Sequence, residues 1–246
     1  MNNDSENRGA EGKHLPIRLI AHRGYTGNAV MNSLSAFEAA GKLHFWAIET
    51  DVRETADGVM VCSHDPGVEK LFDGEGNVCD YTWEKLEQLR YRSGQVGRIP
   101  LFREYLEICH KYSCLPFIET KVDDVEKVIA CAREYFEEDS IILSSISFEH
   151  IREARRCSKV FVHHIFTSQD YLAELASLGN AGCSFKYDSL ESVPGDLADR
   201  IHGMGLKFCL RAGDNPKTVF QMQKLGCDYI PTNAVVPQNV NDAETA

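Results

Sequence analysis

The chain lacks the materials of a nucleic-acid binder and of a membrane span. Lys and Arg number 26 against 37 Asp and Glu, a formal net charge of −11, and no basic run occurs. Duplex recognition needs clustered cations facing phosphates, so the balance argues against nucleic acid as a partner. Stable association with anionic membranes is disfavoured on the same ground. No window approaches the ~20 apolar residues that cross a bilayer. The stretch Met1 to Lys13 is polar with no apolar centre, so no secretory signal is read there. Nine cysteines are scattered, with no Cys-x-x-Cys pair and no Cys/His block of zinc-like spacing. They read as buried thiols of a reducing, cytoplasmic environment. Neither a Gly-rich phosphate loop nor a Gly-x-Gly-x-x-Gly run is present, which lowers a doubly wound nucleotide-binding sheet to second place.

What remains is an acidic chain of 246 residues, 43% apolar, with enough apolar matter for a sizeable core. Residues 1–14 and 238–246 read as terminal tails around one domain over 15–237. Within it, strand-length apolar runs recur at Ile17–Ala21, Phe45–Val52, Val59–Cys62, Leu115–Lys121, Ile141–Ile146, Val160–Phe166, Gly182–Tyr187, Leu206–Leu210 and Asp228–Thr232. Helix-period segments lie between most of them: Ser33–Leu43, Glu84–Leu89, Phe102–Lys111, Val125–Phe136, Phe148–Cys157, Gln169–Leu178 and Pro216–Leu225. Gly179, Gly205 and Gly226 stand where helices stop. Alternation of strand and helix implies a parallel sheet, and eight such units in about 220 residues suit a TIM (β/α)8 barrel. The ninth run follows Asp57-Gly58, a hairpin signal, and is expected to fold back beside the second strand.

In a TIM barrel the chemistry gathers at the C-terminal ends of the strands. There the runs turn polar: His22-Arg23-Gly24, then Glu49-Thr50-Asp51, His64-Asp65 and Glu119-Thr120-Lys121. Residues i and i+2 of a strand share a face, so Glu49 pairs with Asp51 and Glu119 with Lys121. Three neighbouring carboxylates repel unless a hard cation such as Mg²⁺ or Ca²⁺ joins them. Arg23 and Lys121 offer fixed positive charge for a phosphate. His22 and His64 are the side chains suited to proton transfer near neutral pH. The set fits phosphoryl transfer on a small-molecule substrate.

The same residues carry a family resemblance. Ile20-Ala21-His22-Arg23-Gly24, Asn32-Ser33-Leu34, Ile48-Glu49-Thr50-Asp51-Val52, Thr55-Ala56-Asp57-Gly58 and His64-Asp65 follow in order, and Ile118-Glu119-Thr120-Lys121 and Gly226 to Thr232 continue it. Together they resemble the glycerophosphodiester phosphodiesterase family over about residues 17–237. The resemblance implies a TIM barrel with a small insertion after the second strand, here about Pro66 to Gly97. It implies His22 and His64 as the acid–base pair, with His64 favoured as the acid. Glu49, Asp51 and Glu119 would hold the metal, and Arg23 and Lys121 the phosphate. The expected reaction is metal-dependent hydrolysis of a glycerophosphodiester to an alcohol and glycerol 3-phosphate.

Two departures stand out. The family usually has Pro-Glu-Asn-Thr before its first helix, where this chain has Val30-Met31-Asn32-Ser33, which removes an acid near the site entrance. Asn32 and Ser33 remain as helix starters. Phe208-Cys209-Leu210-Arg211 stands where the family usually has a Trp-Thr-Val run, which alters the alcohol pocket. Arg211 reads either as a surface ion-pair residue or as a second cation near the substrate. Competing functions are a lysophospholipase D or a cyclising phospholipase on the same barrel, marked by an apolar rim at the mouth. A non-catalytic phosphate-binding barrel is another, and an acidic-site carbohydrate isomerase barrel is more remote.

Overall fold

The structure, a computed structural model, describes residues 17–238. Of the sequence-read tails 1–14 and 238–246, all but residue 238 lie outside the described residues. The elements are β1 (Leu19–Ala21), α1 (Leu34–Lys42), β2 (Ala47–Glu54), β3 (Met60–Cys62), α2 (Trp83–Leu86), α3 (Phe102–Tyr112), β4 (Leu115–Thr120), α4 (Val125–Arg133) and β5 (Ile142–Ser145). They continue with α5 (Phe148–Cys157), β6 (Phe161–His164), α6 (Gln169–Leu178), β7 (Ala181–Phe185), α7 (Leu197–Gly203), β8 (Lys207–Leu210), α8 (Pro216–Lys224) and β9 (Ile230–Thr232). Helix α7 has no counterpart in the sequence reading. It buries only Leu197 and Ile201, one turn apart, and two positions make a faint period.

Eight strands run parallel in the order β8-β7-β6-β5-β4-β2-β1-β9 and nearly close a TIM barrel. Strands β8 and β9 share no ladder. Asp228 N donates to Phe208 O and Gly213 N to Pro231 O, both at 2.9 Å, and these bonds bridge the seam. The ninth strand, β3, pairs antiparallel with β2 through Arg53 opposite Val61, as the hairpin signal requires. Gly58 takes φ +79° at its turn, a conformation that favours glycine.

Packing follows the strand alternation. One face of each strand joins the helices in the larger core, among them Leu19, Ile48, Ile118, Leu143, Val162 and Phe208. The other face points into the barrel. Ile20, Ala47, Phe117, Ile142 and Cys209 plug its floor with Tyr229. Two residues further along the same strands stand His22, Glu49, Glu119, Ser144 and Arg211, so the interior turns from apolar to polar toward the C-terminal ends. The insertion builds a separate small core of Val61, Val68, Phe72, Val78, Leu86, Tyr91 and Ile99. Val61 belongs to β3, so this core anchors the strand that leads to His64.

Candidate active site

The polar interior opens into a cavity of about 600 Å³ at the C-terminal ends of the strands, with His22, Arg23, Glu49, His64 and Glu119 in its lining. Asp51 is fully buried beside them, and Lys121 reaches it at 3.4 Å and bonds Glu119. The structure therefore gathers all seven residues singled out from the sequence.

The carboxylates come from adjacent strands. Asp51 on β2 and Glu119 on β4 are register partners, and Glu49 lies two residues before Asp51 on the same face. One oxygen from each of the three lies within 4.8 Å of the others. The Tyr105 hydroxyl donates to Ile48 O at 2.6 Å and holds β2 against α3 next to Glu49. Burial, then the charges of Asp51 and Glu119, push Glu49 well above the usual carboxylate range. Burial and the Asp51 charge also raise Glu119, against the opposing pull of Lys121. Glu49 Oε1 and Asp51 Oδ1 are buried without a hydrogen-bond partner. Such oxygens are costly unless something compensates them. A hard divalent cation among the three carboxylates fits that deficit, since it takes oxygen ligands and cancels the repulsion.

The cations flank the acids. Arg23 sits at φ +58°, a left-handed conformation that is uncommon outside glycine and clusters at functional sites. There its backbone N–H donates to Glu49 Oε2 at 2.6 Å. Its Nε lies 3.3 Å from Asp51 Oδ2 but makes no hydrogen bond. Met31 gives only a weak sulfur acceptor to Arg23 Nη1 at 3.5 Å. Ser33 caps α1 by accepting from Ala36 N at 3.2 Å. Asn32, also read as a helix starter, instead braces the acids. It donates to Asp51 Oδ2 at 3.1 Å and accepts from the Thr50 hydroxyl at 2.8 Å.

Each imidazole has one nitrogen committed. His22 Nδ1 lies 2.8 Å from Asn233 Oδ1. Asn233 Nδ2 donates to both carboxylate oxygens of Asp214, at 3.1 and 2.9 Å, which fixes the amide with its oxygen toward His22. Nδ1 therefore carries the proton, and Nε2 is free to accept one. Burial, then the Arg23 charge, lowers the His22 pKa against the opposing bond from Asn233. His64 Nδ1 donates to Asp65 Oδ1 at 2.7 Å, and Lys70 backs the same carboxylate at 3.0 Å. Burial raises Asp65, but the bonds from His64 and Lys70 outweigh it and hold the carboxyl low. Arg53 clamps His64 O at 2.8 and 3.1 Å and fixes the loop.

Asn233 and Asp214 were not among the sequence-read candidates. Asn233 follows Pro231-Thr232 at the end of the last strand, and that position was the available signal. The Phe208–Arg211 stretch divides by alternation. Phe208 and Leu210 join the outer core, while Cys209 and Arg211 face the cavity, with Leu210 also touching its edge. Arg211 has no ion pair among the described residues, so it is not the surface salt bridge that was one of its two readings. Six of the nine cysteines are buried, and all nine are free thiols. Among the described residues no helix is long and apolar enough to cross a membrane.

Comparison with known proteins agrees with this geometry. The profile of the glycerophosphoryl diester phosphodiesterase family matches residues 22–236. A glycerophosphodiester phosphodiesterase of Caldanaerobacter subterraneus subsp. tengcongensis is 34% identical over 87% of this chain and 93% of its own. Human glycerophosphodiester phosphodiesterase 1 is 30% identical over 53% of this chain and 41% of its own. Among solved structures, an Oleispira antarctica phosphodiesterase in complex with the product sn-glycerol-3-phosphate superposes with TM-score 0.82 at 20% identity, over 93% of this chain and 97% of that one. A profile that spans the chain and a relative 34% identical along its length place this protein in the glycerophosphoryl diester phosphodiesterase family.

Proposed function

We propose that the protein is a phosphoric diester hydrolase that cleaves glycerophosphodiesters to an alcohol and glycerol 3-phosphate. The observation that carries this reading is one site that brings together buried carboxylate oxygens without a hydrogen bond, two cations and two singly committed imidazoles. Family membership supports it, and so does the product named for the Oleispira neighbour.

Glu49, Asp51 and Glu119 would hold a divalent ion, Mg²⁺ or Ca²⁺, whose chemistry when bound is Lewis-acid polarisation of the phosphoryl group. Arg23 and Lys121 neutralise the charge that grows on the phosphoryl oxygens. His22, with Nδ1 held by Asn233 and Nε2 free to accept, takes the proton of the attacking oxygen, which is either water or the neighbouring glycerol hydroxyl. The second route forms a cyclic phosphate that a water then opens to glycerol 3-phosphate. His64, held through Nδ1 by Asp65, gives a proton to the leaving alcohol oxygen. The test is a panel of glycerophosphocholine, glycerophosphoethanolamine, glycerophosphoinositol and lysolipids, run with Mg²⁺, Ca²⁺ and Mn²⁺ and after EDTA. Glycerol 3-phosphate release that stops with EDTA is expected, and release unchanged after exhaustive EDTA treatment would exclude the metal role.

One observation favours lysolipid diesters as a second reading. Ile146 and Phe166 are 58% and 47% exposed although both line the cavity. Phe166 also sits at φ +55°, an outlier for so bulky a side chain. Its N–H is tied to Ser184 Oγ at 3.1 Å, which holds the ring at the mouth. Lysolipid turnover that falls in Phe166→Ala, with glycerophosphocholine turnover kept, supports an acyl chain at this rim. No lysolipid turnover in the wild type would dismiss it.

A further inference from the structure

Across the cavity from the acids stand two cations that the catalytic reading leaves unused. Lys186 directly follows β7 and Arg211 directly follows β8. Phe185 and Leu210 are register partners, so Lys186 and Arg211 are the next neighbours along the same parallel pair. Alternation points both inward, two residues beyond the interior positions Ser184 and Cys209, and both line the cavity. In the eight-strand order, β7 and β8 lie four places from β2 and β4, directly opposite the strands that bear Glu49, Asp51 and Glu119.

Two neighbouring like charges repel, and surfaces commonly relieve this with an acid. Neither Lys186 nor Arg211 has an ion pair among the described residues. Asp214, the acid of this wall, accepts three hydrogen bonds from Asn233. A diester anchored by its phosphate at the Arg23 side therefore reaches, at the other wall, a pair of cations lacking an anion.

We infer that Lys186 and Arg211 form a subsite for an anionic group on the leaving alcohol of the substrate. The glycerol end is uncharged, so the added anion belongs to the alcohol. The inference rests on the diesterase reading and narrows it to diesters whose alcohol carries a carboxylate or a second phosphate.

Glycerophosphoserine and glycerophosphoethanolamine differ by one carboxylate and form the test pair. The ratio of their kcat/KM values is measured in wild type, Lys186→Ala, Arg211→Ala and the double variant. An exposed charge pair contributes up to about fivefold, so the serine preference should fall about fivefold for each cation removed. Turnover of the ethanolamine diester should change little. A ratio that stays within about twofold of wild type in the double variant overturns the subsite.

Calorimetry with O-phosphoserine and O-phosphoethanolamine supplies a readout independent of turnover. A phosphoserine preference in wild type that disappears in the double variant upholds the subsite, even in a protein that hydrolyses neither diester. Equal affinities for the two ligands in wild type overturn it. Absence of turnover on both diesters would instead count against the diesterase reading, which keeps the two failures apart.

Discussion

Asn233→Leu is the sharpest probe of how His22 is set for its task. The substitution keeps approximate size and deletes the acceptor 2.8 Å from His22 Nδ1. It leaves Thr26 Oγ1 bound to the backbone O of residue 233, and the bond from N of residue 233 to Asp214. Three side-chain bonds are lost, one to His22 and two to Asp214, and the one that orients the imidazole is worth about 0.5–1.5 kcal/mol. If that energy defines the fraction of His22 with Nε2 free and aimed, kcat falls about two- to twelvefold. Removing the imidazole altogether should cost about 10²–10⁴-fold. The pH profile separates orientation from collapse. The Asn233 bond raises the His22 pKa, so its loss lowers that pKa further below 6.5. A general base works unprotonated, so the acidic limb of kcat should move to lower pH. Asn233→Asp restores the acceptor and adds a negative charge, which favours the imidazolium and should lift the limb above its wild-type position. Steady-state kcat and KM across pH on glycerophosphoethanolamine read both effects. An unmoved limb with normal kcat, or a change confined to KM, would refute the reasoning.

Other outcomes follow from the same geometry. His22→Ala and His64→Ala should each lose about 10²–10⁴-fold in kcat, and near-normal turnover in either removes it from the acid–base pair. Glu119→Gln preserves shape but removes a charged oxygen ligand, so calorimetric Mg²⁺ or Ca²⁺ affinity should fall at least about tenfold, and unchanged affinity excludes it from the ligand set. Gly24→Ala should destabilise by about 2–5 kcal/mol, from a left-handed φ of +78° and a Cβ only 2.7 Å from the carbonyl carbon and Cβ of Ala36. Urea unfolding measures it, and a shift under about 0.5 kcal/mol would mean that the turn relaxes freely.

The sequence could announce the strand-end acids because barrel alternation is a local rule. Ile20 to His22, Ala47 to Glu49 and Phe117 to Glu119 each step from floor to site in two residues. Asp57-Gly58 announced the hairpin for a similar reason, since the turn needs a residue at positive φ. Asn233 was invisible because its meaning lies 211 positions away, at His22, and exists only once the barrel curls around. Arg211 was ambiguous because exposure and inward aim cannot be separated without the cavity wall. Asn32 looked like a cap because its class caps helices, yet its φ of +50° turns the amide onto Asp51.

The gap between β8 and β9 also bears on how the molecule ages with heat. No ladder spans it, and Asp214 and Asn233 sit on its two lips. Their contact serves as a clasp as well as a guide for the nearby imidazole. Warming that parts the lips by a bond length would spoil proton transfer while the rest of the cylinder stands. Inactivation should therefore precede global melting, with amide exchange at Gly213 and Asn233 rising first.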